Sequence, residues 1–180
     1  PLLPIQILWL NLVTDGVNDV ALSIEPARES IMKKPPLKIS ARIIDRSAIV
    51  GLIISGVCMA LVSVTVYFWF QDVGYDYART MVFVVIAMMQ VWNAYNLRSS
   101  SRSVLDIDPL SNKPLLYSMA LSIVLLVLTV YWAPLSRMLS TARVEPLDFA
   151  AASILSLSVV FVSEVYKMIK NRLSSSVNNG

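Results

Sequence analysis

Histidine is absent from the 180 residues, cysteine occurs once, and charged side chains make up only 15% of the chain. Without histidine, imidazole acid–base chemistry and the usual zinc sites are excluded. A lone Cys58 cannot close an internal disulfide, and its place in an apolar run makes it a small buried hydrophobe. Soluble domains carry roughly 25% charged residues. This chain instead has 56% hydrophobic residues, a mean hydropathy of +0.65 and long runs with no charge at all, which places it among membrane proteins. A Gly-Lys-Ser/Thr phosphate loop is missing, as is a signal peptide with a basic start and a small-residue cleavage site. The first residue is Pro1, inside an apolar run, which reads as a piece of a longer polypeptide.

What is present is a series of membrane-length segments. Residues 47–70 carry no charge over 24 positions, about 36 Å of helix at about 1.5 Å per residue. Uncharged or nearly uncharged runs recur at about 78–97, 115–135 and 147–168, and residues 4–24 form a further span. The sequence therefore predicts an all-α membrane protein, a bundle of five transmembrane helices, with the bilayer as its first partner. Gly, Pro, Asp and Ser mark the connections. The basic residues choose the orientation. Loops 25–46 and 98–114 and the tail 169–180, with the adjoining Lys167, hold 12 of the 15 Lys and Arg residues. The other side has only Arg79, Arg137 and Arg143. The positive-inside rule makes the rich side cytoplasmic, the N-terminus outside and the C-terminus inside. The net charge of +3 thus reports topology and implies no nucleic-acid partner. Tyr67, Phe68, Trp69 and Phe70 sit at an outer boundary, as interfacial rings do.

The first span breaks the apolar pattern. In "LWLNLVTDGVND", residues 8–19, Asn11, Thr14, Asp15, Asn18 and Asp19 follow i, i+3, i+4, i+7 and i+8 spacing and share one face of an α-helix. A carboxylate within the bilayer costs at least about 2.5 kcal/mol. No Lys or Arg lies in the middle of any span to offset it. A face of oxygens suits a hard cation such as Ca²⁺, which takes about six to eight oxygen ligands, and Gly16 permits local unwinding that frees carbonyls. The other reading is polar packing between helices. Asn18 and Asp19, nearer the cytoplasmic end, fit partial solvation or pairing with Arg28 better than ion coordination. Ser47, Gly51 and Ser55 form a small-residue face for close helix contact, and Ala152, Ser156 and Val160 form another line. Glu164, three residues from Lys167, reads as a snorkelling, paired carboxylate.

"LWLNLVTDG", followed by "AL", "EP" and "IMKKPP", resembles the sixth membrane helix and next cytoplasmic loop of the P-type cation-transporting ATPases, most closely their Ca²⁺-pump branch. The five spans fit helices six to ten of that family, its C-terminal membrane region. The resemblance implies that Asn11, Thr14 and Asp15 are cation ligands. "MMQVWNAYN" resembles the eighth helix, where some two-site Ca²⁺ pumps carry a Glu at the position of Gln90; Asn93 lies on the same face. Loss of that acid favours one Ca²⁺ per cycle, while an interhelical hydrogen bond is the alternative for Gln90 and Asn93. "TDGVND" also resembles the Gly-Asp-Gly-x-Asn-Asp hinge of the family's soluble domain, but Thr14 replaces the first Gly and the stretch lies in a span, so that assignment is rejected. The "IMKKPP" loop resembles the segment that meets the phosphorylation domain, so loop 25–46 is expected to contact the pump's cytosolic domains.

These readings make the chain a cation-transport segment of an ATP-driven pump, most simply for Ca²⁺ export. Alternatives are the same fold moving Na⁺, Mn²⁺ or H⁺, or a non-catalytic scaffold bundle. The family's Asp-Lys-Thr-Gly phosphorylation sequence is absent, so ATP and Mg²⁺ belong to other domains and no residue here is catalytic. The three ligands of the first span give too few oxygens for a full Ca²⁺ shell, so the remaining helices of the pump are needed as partners.

Overall fold

The structure, a computed structural model, describes residues 2–24, 46–99 and 103–178, with 46, 47, 105, 109 and 173–178 as backbone only. Every regular element among the described residues is helical. Three stretches are long and apolar enough to cross a membrane: Ala48–Phe70, Lys113–Tyr131 and Pro146–Arg172. The chain is an all-α membrane bundle. Loop 25–46, with "IMKKPP" and Arg28, lies outside the described residues except for Arg46.

The first apolar segment is three short elements in series. Helix α1 (Pro4–Trp9) starts with Pro at N1, where no amide hydrogen is needed, and Gln6 Oε1 accepts from Leu3 N at 3.1 Å. A π-helical turn and a half follows at Leu10–Gly16, then α2 (Val17–Ser23). The widening has a local cause. The Thr14 hydroxyl lies 2.5 Å from Leu10 O, the carbonyl an α-helix would give to the Thr14 amide. Gly16 allows the tighter approach this requires, since a Cβ there would stand 3.3 Å from Asn11 O. Gly16 itself keeps helical dihedrals (φ −57°, ψ −45°), so the departure from α-geometry is spread over seven residues and is not an unwinding at the glycine.

Helix α4 (Tyr75–Asn96) is the centre of the bundle: 14 of its 22 residues are buried. Gly74 opens it at φ +151°, a conformation that side-chain-bearing residues rarely adopt. Met81, Phe83, Val84, Val85 and Met89 form the core with Leu10, Val66, Leu126, Val130, Ala152 and Val159 from the elements around it. Being enclosed, α4 can carry Arg79, Gln90, Asn93 and Asn96 without presenting them to lipid. Helix α3 (Arg46–Phe70), by contrast, faces outward with Leu52, Ile53, Val57, Leu61 and Val64 exposed. Its small-residue face does make the close contact expected of it: a Cβ on Gly51 would meet the Tyr166 ring at 3.2 Å, and the Ser55 and Ser163 hydroxyls are 3.1 Å apart.

Helix α5 (Lys113–Tyr131) is capped by Asn112, whose Oδ1 accepts from Leu115 N at 2.9 Å. It stops before Pro134, which lacks an amide hydrogen and clashes with the preceding turn. The short α6 (Ala133–Leu139) follows. The last apolar segment is two helices, α7 (Pro146–Ser156) and α8 (Ser158–Asn178), separated at Leu157. Ser153 and Ser156 hydroxyls bond back to Phe149 O (2.8 Å) and Ser153 O (2.6 Å), which loosens the helix just before the break.

Polar ties close both ends of α4. At its start, Arg79 donates to Ser140 O (3.1 Å), Thr80 Oγ1 accepts from Ala142 N (2.9 Å), and Tyr77 OH donates to the Asp148 carboxylate. Gln6 Nε2 reaches the same connection at Leu139 O (3.0 Å). At its finish, Lys167 Nζ donates to Asn96 Oδ1 (2.7 Å), Asn96 O (3.2 Å) and Glu164 Oε1 (3.0 Å), while Glu164 accepts from Ser103 Oγ and Val104 N. The Lys167–Glu164 pair expected from the sequence is present, but it does not snorkel. Lys167 is 6% exposed and turns inward, because the carbonyl end of α4 offers it acceptors there.

Candidate cation site

Helix α4 and the π-helical segment meet side by side, and their polar residues converge. Thr14 is buried, and its Oγ1 lies 2.9 Å from Gln90 Oε1 as well as 2.5 Å from Leu10 O. A hydroxyl has one hydrogen, so it serves one of these acceptors at a time. Gln90 Nε2 donates to Asp15 Oδ2 at 3.0 Å. One carboxamide therefore bridges the hydroxyl and the carboxylate, with its oxygen toward Thr14 and its nitrogen toward Asp15. A hydrogen bond to a charged group is worth about 1.5–3 kcal/mol. That is comparable to the at least ~2.5 kcal/mol cost of a carboxylate in the membrane, so Gln90 offsets much of what holding Asp15 costs.

The sequence-predicted residues separate into three groups. Thr14, Asp15 and Gln90 are in direct contact. Asn93 is one turn further along α4 on the same face, and its Oδ1 is buried without a hydrogen-bond partner, an acceptor left available. Asn11 is exposed on the outer side of the first segment. Its separation from Thr14 follows from the π-winding: a ring closed by i→i+5 bonds needs more residues per turn, so positions three apart rotate further from one another than in an α-helix. The single polar stripe drawn at α-helical spacing thus divides, with Thr14 turned into the bundle and Asn11 away from it.

Asn18 and Asp19 also part company. Asp19 is exposed, but Asn18 is 1% exposed and accepts from Ser118 Oγ at 2.8 Å. It is packed against α5, not solvated as expected, because α5 presents a polar face to this segment. Ser122 Oγ donates to Val13 O (3.1 Å) and Asn112 Nδ2 to Ala21 O (3.2 Å). Sequence reasoning missed these α5 residues. Ser118 and Ser122, four apart, share one face and Asn112 caps the helix, but that spacing does not distinguish a bond to the first segment from one to the serines' own backbone. Among the described residues no three His, Cys, Asp or Glu side chains converge. The site is one carboxylate set among neutral oxygens.

The chain is an all-α membrane bundle in which a carboxylate, a hydroxyl and a carboxamide gather beside a π-helical segment, and the comparisons give its family. Residues 1–169 match the family described as "Cation transporting ATPase, C-terminus". The chain belongs to that family and is a C-terminal region of a P-type cation pump. It is 30% identical over 173 residues to the mouse (Mus musculus) calcium-transporting ATPase type 2C member 1, covering 94% of this chain and 19% of that protein. It is 29% identical over 173 residues to the human (Homo sapiens) calcium-transporting ATPase type 2C member 2, covering 93% and 18%. Calcium-transporting ATPase 1 of Bacillus cereus (strain ATCC 10987 / NRS 248) is 27% identical over 188 residues, covering 94% and 21%. The chain spans about a fifth of the length of these relatives.

Proposed function

We propose that this chain is the transport segment of an ATP-driven pump that exports Ca²⁺, one ion per cycle, with Asn11, Thr14, Asp15, Gln90 and Asn93 as its share of the ion's ligands. The contact of Asp15 and Thr14 with Gln90 is the observation that carries the reading. In it, five spans cross the bilayer at about 4–24, 47–70, 78–97, 115–135 and 147–168, with the N-terminus outside and the C-terminus cytoplasmic. Loop 25–46 couples the ion site to the cytosolic domains that hold ATP and Mg²⁺. The calcium-transporting names of the relatives favour Ca²⁺ over Na⁺, Mn²⁺ or H⁺.

The hydrogen-bond directions give the step a mechanism. With Nε2 toward Asp15, Gln90 presents hydrogens where a cation would bind, and like partial charges repel. Rotation of the carboxamide would place Oε1 beside Asp15 as a ligand and Nε2 beside Thr14, whose hydroxyl oxygen can accept. The same face then alternates between a self-satisfied empty state and a cation-bound one. Asn11, on the outer side, would complete the shell with oxygens from the pump's other helices.

The test is phosphoenzyme formation from ATP by the complete pump, titrated separately with Ca²⁺, Mn²⁺ and Na⁺. Activation by Ca²⁺ at the lowest concentration is expected. Activation by Na⁺ alone would replace the Ca²⁺ assignment, and no phosphoenzyme with any cation would leave a scaffold bundle.

A further inference from the structure

We propose that the cleft between α3, α4 and α7 is a lipid site, selective for a phospholipid whose headgroup carries a primary amine. The cleft has a volume of about 430 Å³. Its floor is Val66, Met81 and Ala152, all buried, and Trp69 and Leu155 stand exposed at its rim. Asp148 is the one charged residue that lines it. From Asp148 to Leu155 is seven residues of α7, roughly 10 Å along the helix at about 1.5 Å per residue. That length matches the upper part of an acyl chain lying against the protein.

Two observations decide what fills the cleft. The first is its setting: α3, which lines it, is apolar and long enough to span, and Trp69 and Leu155 beside the cleft are exposed, so in the bilayer it is accessible to hydrocarbon. The second is Asp148. Its side chain accepts from Tyr77 OH, and no Lys or Arg among the described residues forms an ion pair with it. A carboxylate at the membrane boundary, facing an apolar cleft, is held by one neutral donor and by the N-terminal turn of α7, with no cationic side chain paired to it. A cation that pairs with it from the cleft would sit at headgroup depth with an apolar tail below. One carboxylate is too few ligands for a hard metal ion. An ammonium with N–H donors satisfies the carboxylate directly, through a charge-assisted hydrogen bond. The quaternary ammonium of a choline lipid has no such donor, and an anionic glycerol headgroup is repelled. The occupant is thus an ethanolamine-type lipid.

The complete protein, stripped of lipid in detergent, would be given ethanolamine, choline and glycerol phospholipids of identical chains, and retention measured by native mass spectrometry. The ethanolamine lipid is expected to be retained several-fold better than the other two. Asp148→Asn keeps the acceptor for Tyr77 and removes the charge, so it should erase that preference while leaving the thermal unfolding midpoint close to wild type. Ala151→Trp, at the exposed rim, should lower retention of all three lipids. Equal retention of the three headgroups by the wild type would overturn the proposal, as would a preference that survives Asp148→Asn or retention unaffected by Ala151→Trp.

Discussion

Gln90 stands between a hydroxyl and a carboxylate and satisfies both with one amide group. Removing it separates two effects. Gln90→Ala removes the donor that holds Asp15 in the empty state, a loss of about 1.5–3 kcal/mol expected in protein stability, and it also removes the Oε1 ligand, which is expected to lower Ca²⁺ affinity. Gln90→Glu instead adds a second carboxylate beside the first. Equilibrium binding of radiolabelled Ca²⁺ to the complete pump should then rise from one ion per phosphorylatable site toward two, because charge count sets hard-cation affinity. A wild-type stoichiometry of two would mean that another oxygen donor, such as Asp19, already replaces the acid. Thr14, Asp15 and Gln90 were legible in the sequence because polar side chains in an apolar run must find one another. The turning away of Asn11 was not, because it depends on a winding that residue spacing assumes rather than reveals.

At the level of elements, much of what holds the bundle is polar and lies at helix ends and crossings. Lys167 clamps α8 to the end of α4, and with Glu164 it forms a pair nearly closed to solvent. Lys167→Met should destabilise the protein by about 3 kcal/mol, since breaking a buried pair strands the other charge. Ser55→Ala, which removes one neutral contact to Ser163, should cost only about 0.6 kcal/mol. Thermal unfolding in detergent distinguishes these, and a larger loss for Ser55→Ala would place the main tie between α3 and α8 rather than at α4. The small-residue face of α3 could be read from Ser47, Gly51 and Ser55, since small side chains at i+4 spacing have few other uses. The reach of Ser118 and Ser122 to the first segment could not, because a serine in a membrane helix is equally able to bond its own backbone. The breaks at Leu157 and Trp132 likewise follow from serine back-bonding and from Pro134, local effects hidden inside continuous apolar runs.

For the whole molecule, composition carried the fold class: 15% charge and long uncharged runs leave little besides a helical membrane bundle. The central place of α4 was less visible, since its hydropathy is diluted by residues it can hold only because neighbours enclose it. The proposed topology rests on the 12-to-3 division of basic residues. Single cysteines at Lys34, Ser100 and Asn178 should be labelled from the cytoplasmic side and one at Arg143 from outside. Labelling of the Lys34 and Arg143 positions from one side would overturn the five-span arrangement. The central claim is that Asp15 meets the transported ion. Asp15→Asn keeps size and one oxygen and removes the charge. In the complete pump it should express and insert yet lose Ca²⁺-activated phosphorylation from ATP, while phosphorylation from inorganic phosphate persists and resists inhibition by Ca²⁺. Wild-type Ca²⁺ dependence in both assays would contradict the account and leave Asp15 a structural partner of Gln90 alone.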